Sequence, residues 1–344
     1  MGFRRQGFGT GRRATPGGTD AYSPIYGDQM VDGGTQAFLD VIAGSGGKPV
    51  SEQTPAEFRE TVRAGSLALA PPVEELHAVR DTTIPGPGGA LPVRIYTPRA
   101  VASGELLPIV VHYHGAGWVG GDLDTHDAIA RYYAKHADAI VIAVDYRLAP
   151  EYKFPSAVDD AYAAVQWASD HAGELGGDAL RLAVLGDSAG GTLATVVCQI
   201  ARDRGTPRIA FQALLYPPTD LRLDSIYPSV DAFGGGDYFL GRADMEWFRT
   251  HYLNDSKEED DPRVSPLASQ DLSRLPPALI VTAGYDPLRD EAKLYADRLT
   301  TAGVAVEYRC FESTVHAFVS FSALIPTGVE ALALVTDRLR AALK

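Results

Sequence analysis

Cysteine is nearly absent: only Cys198 and Cys310 occur in 344 residues. Two lone thiols make no disulfide framework and have no metal-ligand spacing. Both fall in apolar segments and read as small core residues. Long uncharged apolar runs are missing too, so no segment is expected to span a bilayer. The first twenty residues are rich in Gly and Arg, including Arg4, Arg5, Arg12 and Arg13, but hold no apolar signal core. They read as a loosely packed extension, with the cytoplasm as the default location. Cationic side chains are in deficit, 31 Lys and Arg against 44 Asp and Glu, for a net charge of −13. Nucleic acid and anionic membrane would both repel such a surface. Internal repeats are absent as well. What remains has the composition of an ordinary globular protein, long enough to bury a full α/β core.

Apolar residues recur at helical spacing through residues 33–44 and 55–69, before any strand. Strand patterns follow at 76–84 and 91–96, joined by the turn Pro85-Gly86-Pro87-Gly88-Gly89. From Pro108 onward strand and helix alternate. Strands are expected at 109–113, 140–145, 181–185, 209–215, 278–283 and 305–311. Helices are expected at 125–136 (capped by Thr125), 156–171, 192–201, 286–302 and 328–343. Short apolar strands between helices mean a mostly parallel sheet covered on both faces. Residues 219–276 break the rhythm and carry Phe233, Tyr238, Phe239, Trp247, Phe248 and Tyr252. Long insertions in such folds sit above the carboxyl ends of the strands. The expected division is an N-terminal extension with cap helices over 1–70 and a core over 71–344, with 219–276 as a cap insertion. Most of the inserted aromatics should pack together, and one or two should face a ligand.

The run Leu185-Gly186-Asp187-Ser188-Ala189-Gly190-Gly191 follows an apolar strand and opens into a helix of small residues. Gly-x-Ser-x-Gly in that setting is a nucleophile elbow, which lifts a serine hydroxyl clear of the sheet. Gly186 and Gly190 suit it because a side chain at either flank would strike the neighbouring strand or helix. The five-residue pattern alone is weak. A serine hydroxyl also needs a base, usually histidine, steadied by a carboxylate. His316 follows the last strand and Asp286 follows the strand before it. The order Ser188, Asp286, His316 is that of an α/β-hydrolase triad. Blander readings exist: a lone loop histidine is often only structural, and Asp286 could simply cap the helix beginning at Pro287. Asp290 competes for the acid role; His114 and His126 are weaker bases. Acyl transfer further needs N–H donors for an oxyanion. Ala189 offers one, and the loop His114-Gly115-Ala116-Gly117-Trp118 after the first core strand offers another, with His114 ordering that loop.

Together these segments resemble the hormone-sensitive-lipase-like family of α/β-hydrolase esterases, in the branch with a Gly-Asp-Ser-Ala-Gly elbow. The resemblance covers roughly residues 70–344. It rests on His114 to Asp127, Val144-Asp145-Tyr146-Arg147-Leu148-Ala149-Pro150-Glu151, Phe154-Pro155 and Asp286-Pro287-Leu288-Arg289-Asp290-Glu291. Tyr238-Phe239-Leu240 with Met245, Trp247 and Tyr252 adds to it. It implies an α/β-hydrolase fold, mostly parallel, with a helical cap. The implied activity is cofactor-free and metal-free hydrolysis of short- to medium-chain carboxylic esters through an acyl-enzyme. Ser188 would be nucleophile, His316 base and Asp286 acid, with Ala116, Gly117 and Ala189 as the oxyanion hole. Trp118, Asp187, Phe233, Tyr238 and Phe239 are candidates for the substrate pocket.

Amide, formamide or carbamate cleavage by the same machinery stays open, as does acyl transfer. A binding protein on a hydrolase scaffold would lack a triad member. Three departures from the family pattern matter. Ala116 stands where His-Gly-Gly-Gly is usual; at positive φ its methyl costs on the order of 1–2 kcal/mol, and otherwise it trims the pocket. Ala317 and Ala292 also replace usual glycines. Related esterases often pair through the last strand and C-terminal helix, which here are 304–311 and 328–343, so a homodimer is a further expectation.

Overall fold

The computed structural model describes residues 30–222 and 227–344. Arg4, Arg5, Arg12 and Arg13 lie outside them. Within the described residues, eight strands form one sheet: β1 (Ala78–Gly86), β2 (Gly89–Thr97), β3 (Leu107–Tyr113), β4 (Ile140–Val144), β5 (Gly177–Asp187), β6 (Phe211–Leu215), β7 (Ala278–Tyr285) and β8 (Val306–Val315). Their order is β1-β2-β4-β3-β5-β6-β7-β8. The pairs β1–β2 and β2–β4 are antiparallel, and every pair from β4 to β8 is parallel.

Side-chain alternation divides the interior into two cores. Ile109, Val111 and Tyr113 face one layer, made by α4 (Ser156–Asp170), α5 (Ala189–Arg204) and α8 (Arg289–Thr301). Val110, Val141 and Ala143 face the other, made by α3 (Asp127–Ala137) and α9 (Pro326–Ala342). Every residue of β4 and β6 is buried, which is why these strands read as unbroken apolar runs.

Several element boundaries differ from the sequence expectation, and three of them bear on the site. Thr125 does not cap α3: its N–H goes to the Asp122 carboxylate and its hydroxyl to the Asp122 carbonyl. It therefore closes the preceding turn, and the helix begins at Asp127. The helix expected from Asp286 begins at Arg289. Finally, β8 runs on to Val315 rather than ending at Phe311. An irregularity after Ala283 lets Tyr285 pair with Val315. Gly284 permits it, since a Cβ there would stand 2.0 Å from the Glu312 carbonyl oxygen.

Among the described residues two α-helices precede the sheet, α1 (Gly33–Gly44) and α2 (Pro55–Leu69), and two stand in the 219–276 insertion, α6 (Pro228–Phe233) and α7 (Arg242–Tyr252). The Asp32 carboxylate caps α1 and accepts from Ser313 on β8 and Thr327 on α9. A Thr54/Glu57 capping box starts α2. On that helix, Arg59 donates to the carbonyls of Val119 and Ala149, and Arg63 pairs with Asp122 and Asp124. Trp247 of α7 donates to the Gln53 carbonyl at 3.1 Å, joining the two groups of helices. Among the described residues no helix is long and apolar enough to cross a membrane.

The elbow depends on close backbone contacts. A Cβ at Gly186 would lie 2.1 Å from the Gly190 carbonyl oxygen, and one at Gly190 would lie 1.9 Å from that of Tyr113. Backbone cannot move aside as a flexible side chain could. Gly190→Ala should therefore lose about 3 kcal/mol of stability in denaturant unfolding, the upper end for overpacking, together with activity.

Candidate active site

β5 ends at Asp187 and α5 begins at Ala189, leaving Ser188 alone in the turn at φ 50° and ψ −122°. Such a conformation costs of order 1–3 kcal/mol and persists only where surroundings impose it. Here the Ser188 N–H donates to the Leu215 carbonyl at 2.8 Å, and the Ser188 carbonyl accepts from Gly191 at 2.8 Å.

The ends of three strands converge on this serine. His316 Nε2 lies 2.9 Å from Ser188 Oγ, and His316 Nδ1 lies 2.8 Å from Asp286 Oδ2. A carboxylate only accepts, so Nδ1 carries the proton and Nε2 is left to accept from the hydroxyl. The second oxygen, Asp286 Oδ1, accepts the Leu288 N–H at 2.9 Å. That bond closes a local turn and does not cap the helix, since α8 begins at Arg289 with Leu288 as its N-cap, so the expectation that Asp286 might cap a helix starting at Pro287 is not met. Asp290 points elsewhere, accepting from the Ser229 N–H and the Arg289 guanidinium. The Tyr216 ring stands edge-on to His316 at 4.9 Å, filling the space beside it.

Beside the serine, Ala116, Gly117 and Trp118 hold φ values of 82°, 63° and 60°. Three successive left-handed residues coil the loop tightly, and the Val119 and Gly120 N–H groups both donate to the Ala116 carbonyl. Among the described residues, the N–H groups of Ala116, Gly117 and Ala189 have no acceptor. Ala116 is at positive φ, so of the two alternatives for that substitution it is the left-handed strain, on the order of 1–2 kcal/mol, that applies; the residue also lines the cavity. Ala317, directly after His316, shares the left-handed conformation at φ 60°.

Beneath the loop lies a histidine cluster. His114 stacks on Tyr146 at 4.3 Å, and its Nδ1 donates to the Gly115 carbonyl at 2.9 Å. Burial pushes its pKa down to about 3, so it braces the loop as a neutral ring. Asp187 sits below the elbow, 3.7 Å from His112 and 3.4 Å from His126. Burial alone would raise its carboxyl, but the two histidines outweigh it and hold the group well below the usual carboxylate range.

A cavity of about 460 Å³ opens onto Ser188 and His316. Of the five pocket candidates, Trp118, Asp187 and Phe239 line it, whereas Phe233 and Tyr238 do not. Those two pack on Tyr285, with ring centroids 5.2 and 5.0 Å away. Phe239 adopts φ 77°, which turns it away from Tyr238 and toward Phe38 and the cavity. Sequence reasoning missed Phe58 and Val62 from α2, Phe248 from α7, Leu288 just before α8 and Glu291 within it as lining residues. The amphipathic pattern of α2 was the available signal, but nothing local showed which core it would cover. Among the described residues no group of His, Cys, Asp and Glu side chains is arranged to hold a metal ion.

A mostly parallel sheet with a strained serine between strand and helix, met by a histidine and a carboxylate from later strand ends, is the architecture of an α/β-hydrolase. The family described as alpha/beta hydrolase fold matches residues 110–320. Carboxylesterase NlhH of Mycobacterium tuberculosis is 44% identical over 299 residues, covering 85% of this chain and 90% of that protein. Carboxylic ester hydrolase LipN of the same organism is 48% identical over 262 residues, covering 74% of this chain and 68% of that protein. The solved structure of a hyperthermophilic esterase from the archaeon Pyrobaculum calidifontis superposes with a TM-score of 0.86 at 39% identity, covering 91% of this chain and 98% of that one. The chain belongs to the hormone-sensitive-lipase-like family of α/β-hydrolases.

One carboxyl at this site carries a measurable cost. Glu291 is fully buried and accepts the N–H groups of Thr219 at 2.6 Å and Asp220 at 3.2 Å through one oxygen. Burial raises its pKa well above the usual value. Its ionisation is then easier in the unfolded chain, so wild-type stability falls as pH rises from about 4.3 toward the folded pKa. Glu291→Gln keeps the accepting oxygen and cannot ionise. Its stability relative to wild type in urea unfolding should be near parity at pH 4 and higher at pH 8.

Proposed function

We propose that this chain is a carboxylesterase in which Ser188, His316 and Asp286 carry the reaction. The observation that supports this most directly is the hydrogen-bonded row from Ser188 Oγ through His316 to Asp286, with contacts of 2.9 and 2.8 Å. Ester hydrolysis is also the activity named for the relatives at 44% and 48% identity.

His316 Nε2 takes the hydroxyl proton as Ser188 Oγ attacks the ester carbonyl carbon. Negative charge moves to the carbonyl oxygen, which the N–H groups of Ala116, Gly117 and Ala189 receive. Asp286 holds the imidazole in its tautomer and balances the imidazolium that forms. The tetrahedral intermediate collapses, the bond to the leaving oxygen breaks, and His316 returns the proton to the departing alcohol. Water then attacks the acyl-enzyme with His316 again as base, releasing the acid and restoring Ser188. Fixed N–H donors need no reorganisation as charge develops, and each contributes about 3–4 kcal/mol.

Residues 30–70 and the 219–276 insertion act as a cap over this site, because both contribute to the cavity wall. The wall's largely apolar side chains suit short- to medium-chain acyl groups. The enzyme works in the cytoplasm on small-molecule esters, as a homodimer paired through β8 and α9; among the described residues β8 is the edge strand of the sheet.

Two measurements test these readings. On p-nitrophenyl esters from acetate to palmitate, the wild type should favour the shorter chains, and Ser188→Ala should lower kcat by about 10⁴-fold or more. Full activity in the variant would remove Ser188 from the mechanism. Sedimentation velocity at micromolar concentration should show a dimer; monomer alone would sink the pairing through β8.

A further inference from the structure

The side chain pressed against the Ala116–Trp118 loop comes from a distant part of the chain. A Cβ built on Gly117 would fall 2.1 Å from Cδ1 of Phe248, so the Phe248 ring rests directly on the Gly117 Cα. Three residues further along, a Cβ on Gly120 would fall 2.7 Å from Cε1 of Phe58. The two phenyl rings meet edge to face at 5.2 Å, and Trp247 lies 5.4 Å from Phe58 and 5.3 Å from Phe248. The cluster is itself anchored: Trp247 donates to the Gln53 carbonyl, and Arg59 donates to the Val119 carbonyl of the loop. One helix before the sheet and one in the insertion thus close on the outer side of the loop, while His114 and Tyr146 brace its inner side.

We propose that Phe248 is a positioning residue for the oxyanion hole, holding the Gly117 N–H on the developing charge through its contact with the Gly117 Cα. The proposal rests on the reading that Gly117 is an oxyanion donor. Left-handed backbone at Ala116, Gly117 and Trp118 is not self-sustaining, because two of the three carry a Cβ. With the ring removed, the loop gains space on the face it now presents to α7. A displacement near 1 Å at such a donor costs about 10²-fold in rate, with ground-state binding scarcely involved.

Phe248 also lines the cavity, so the test uses an acyl group too small to need that wall. On p-nitrophenyl acetate, Phe248→Ala should lower kcat by ~10–100-fold while KM stays within about threefold. A short alkyl trifluoromethyl ketone, whose Ser188 hemiketal places an oxyanion in the hole, should lose affinity by a similar factor. Phe248→Leu should fall between wild type and Phe248→Ala on both scales, and it carries the comparison alone if the alanine variant does not fold. The proposal is overturned if kcat on acetate is unchanged while KM rises only for longer esters, which would make Phe248 a wall of the acyl pocket. It is equally overturned if kcat falls with ketone affinity intact. Failure of the underlying site reading looks different: Ser188→Ala would retain activity whatever Phe248 does.

Discussion

Everything at this site depends on the backbone contact between Gly190 and the Tyr113 carbonyl. That contact, with Gly186 beneath Gly190, sets α5 against β3 and β5 so closely that the connection has space for only one residue, Ser188. The serine's left-handed conformation follows from the packing rather than from any preference of its own. The same closeness brings the Ala116 loop, which leaves β3 directly after Tyr113, alongside the N-terminus of α5. Ser188 and the Ala116 loop, the proposed nucleophile and oxyanion donors, are therefore placed by one packing event.

The remaining groups arrive on parallel strands, and this explains how much could be read from the residues alone. A parallel sheet delivers each strand's carboxyl end to the same edge, so Asp286 and His316 could be identified from chain order without knowledge of their contacts. The elbow glycines were legible for the same reason, since the turn itself demands them. Other features were hidden because their causes are distant in sequence. The extension of β8 to Val315 requires the irregularity beside Gly284, which no local pattern announces. Phe233, Tyr238 and Phe239 look equivalent as an aromatic run, and a single φ angle at Phe239 decides which of them reaches the cavity. Positive φ at Ala116 could be raised only through the family pattern, which has glycine there; the alanines at 116 and 317 do not signal their left-handed backbone by themselves.

The cap illustrates the difference between local and distant causes. Its helices are ordinary by composition, and α2 announces itself through its capping box. Its role comes from where two arginines and one phenylalanine land. Arg59 and Arg63 fasten the helix to the loop between β3 and α3, and Phe58 covers Gly120. In the proposed reading, substrate enclosure and loop support fall to the same surface, so a change in cavity shape on this side also alters the support of the Ala116–Trp118 loop.

Asp32 has a bearing on how the molecule is made. Its carboxylate joins the start of α1 to Ser313 on β8 and Thr327 on α9, on either side of His316 in the chain. The start of α1 thus cannot be fastened until β8 and α9 have been synthesised. Phe38, fully buried in the folded molecule, packs on Phe239 and Phe321, both of which follow the central strands in the chain. The docking of α1 is in this way a late event, completed when it meets β8 and α9.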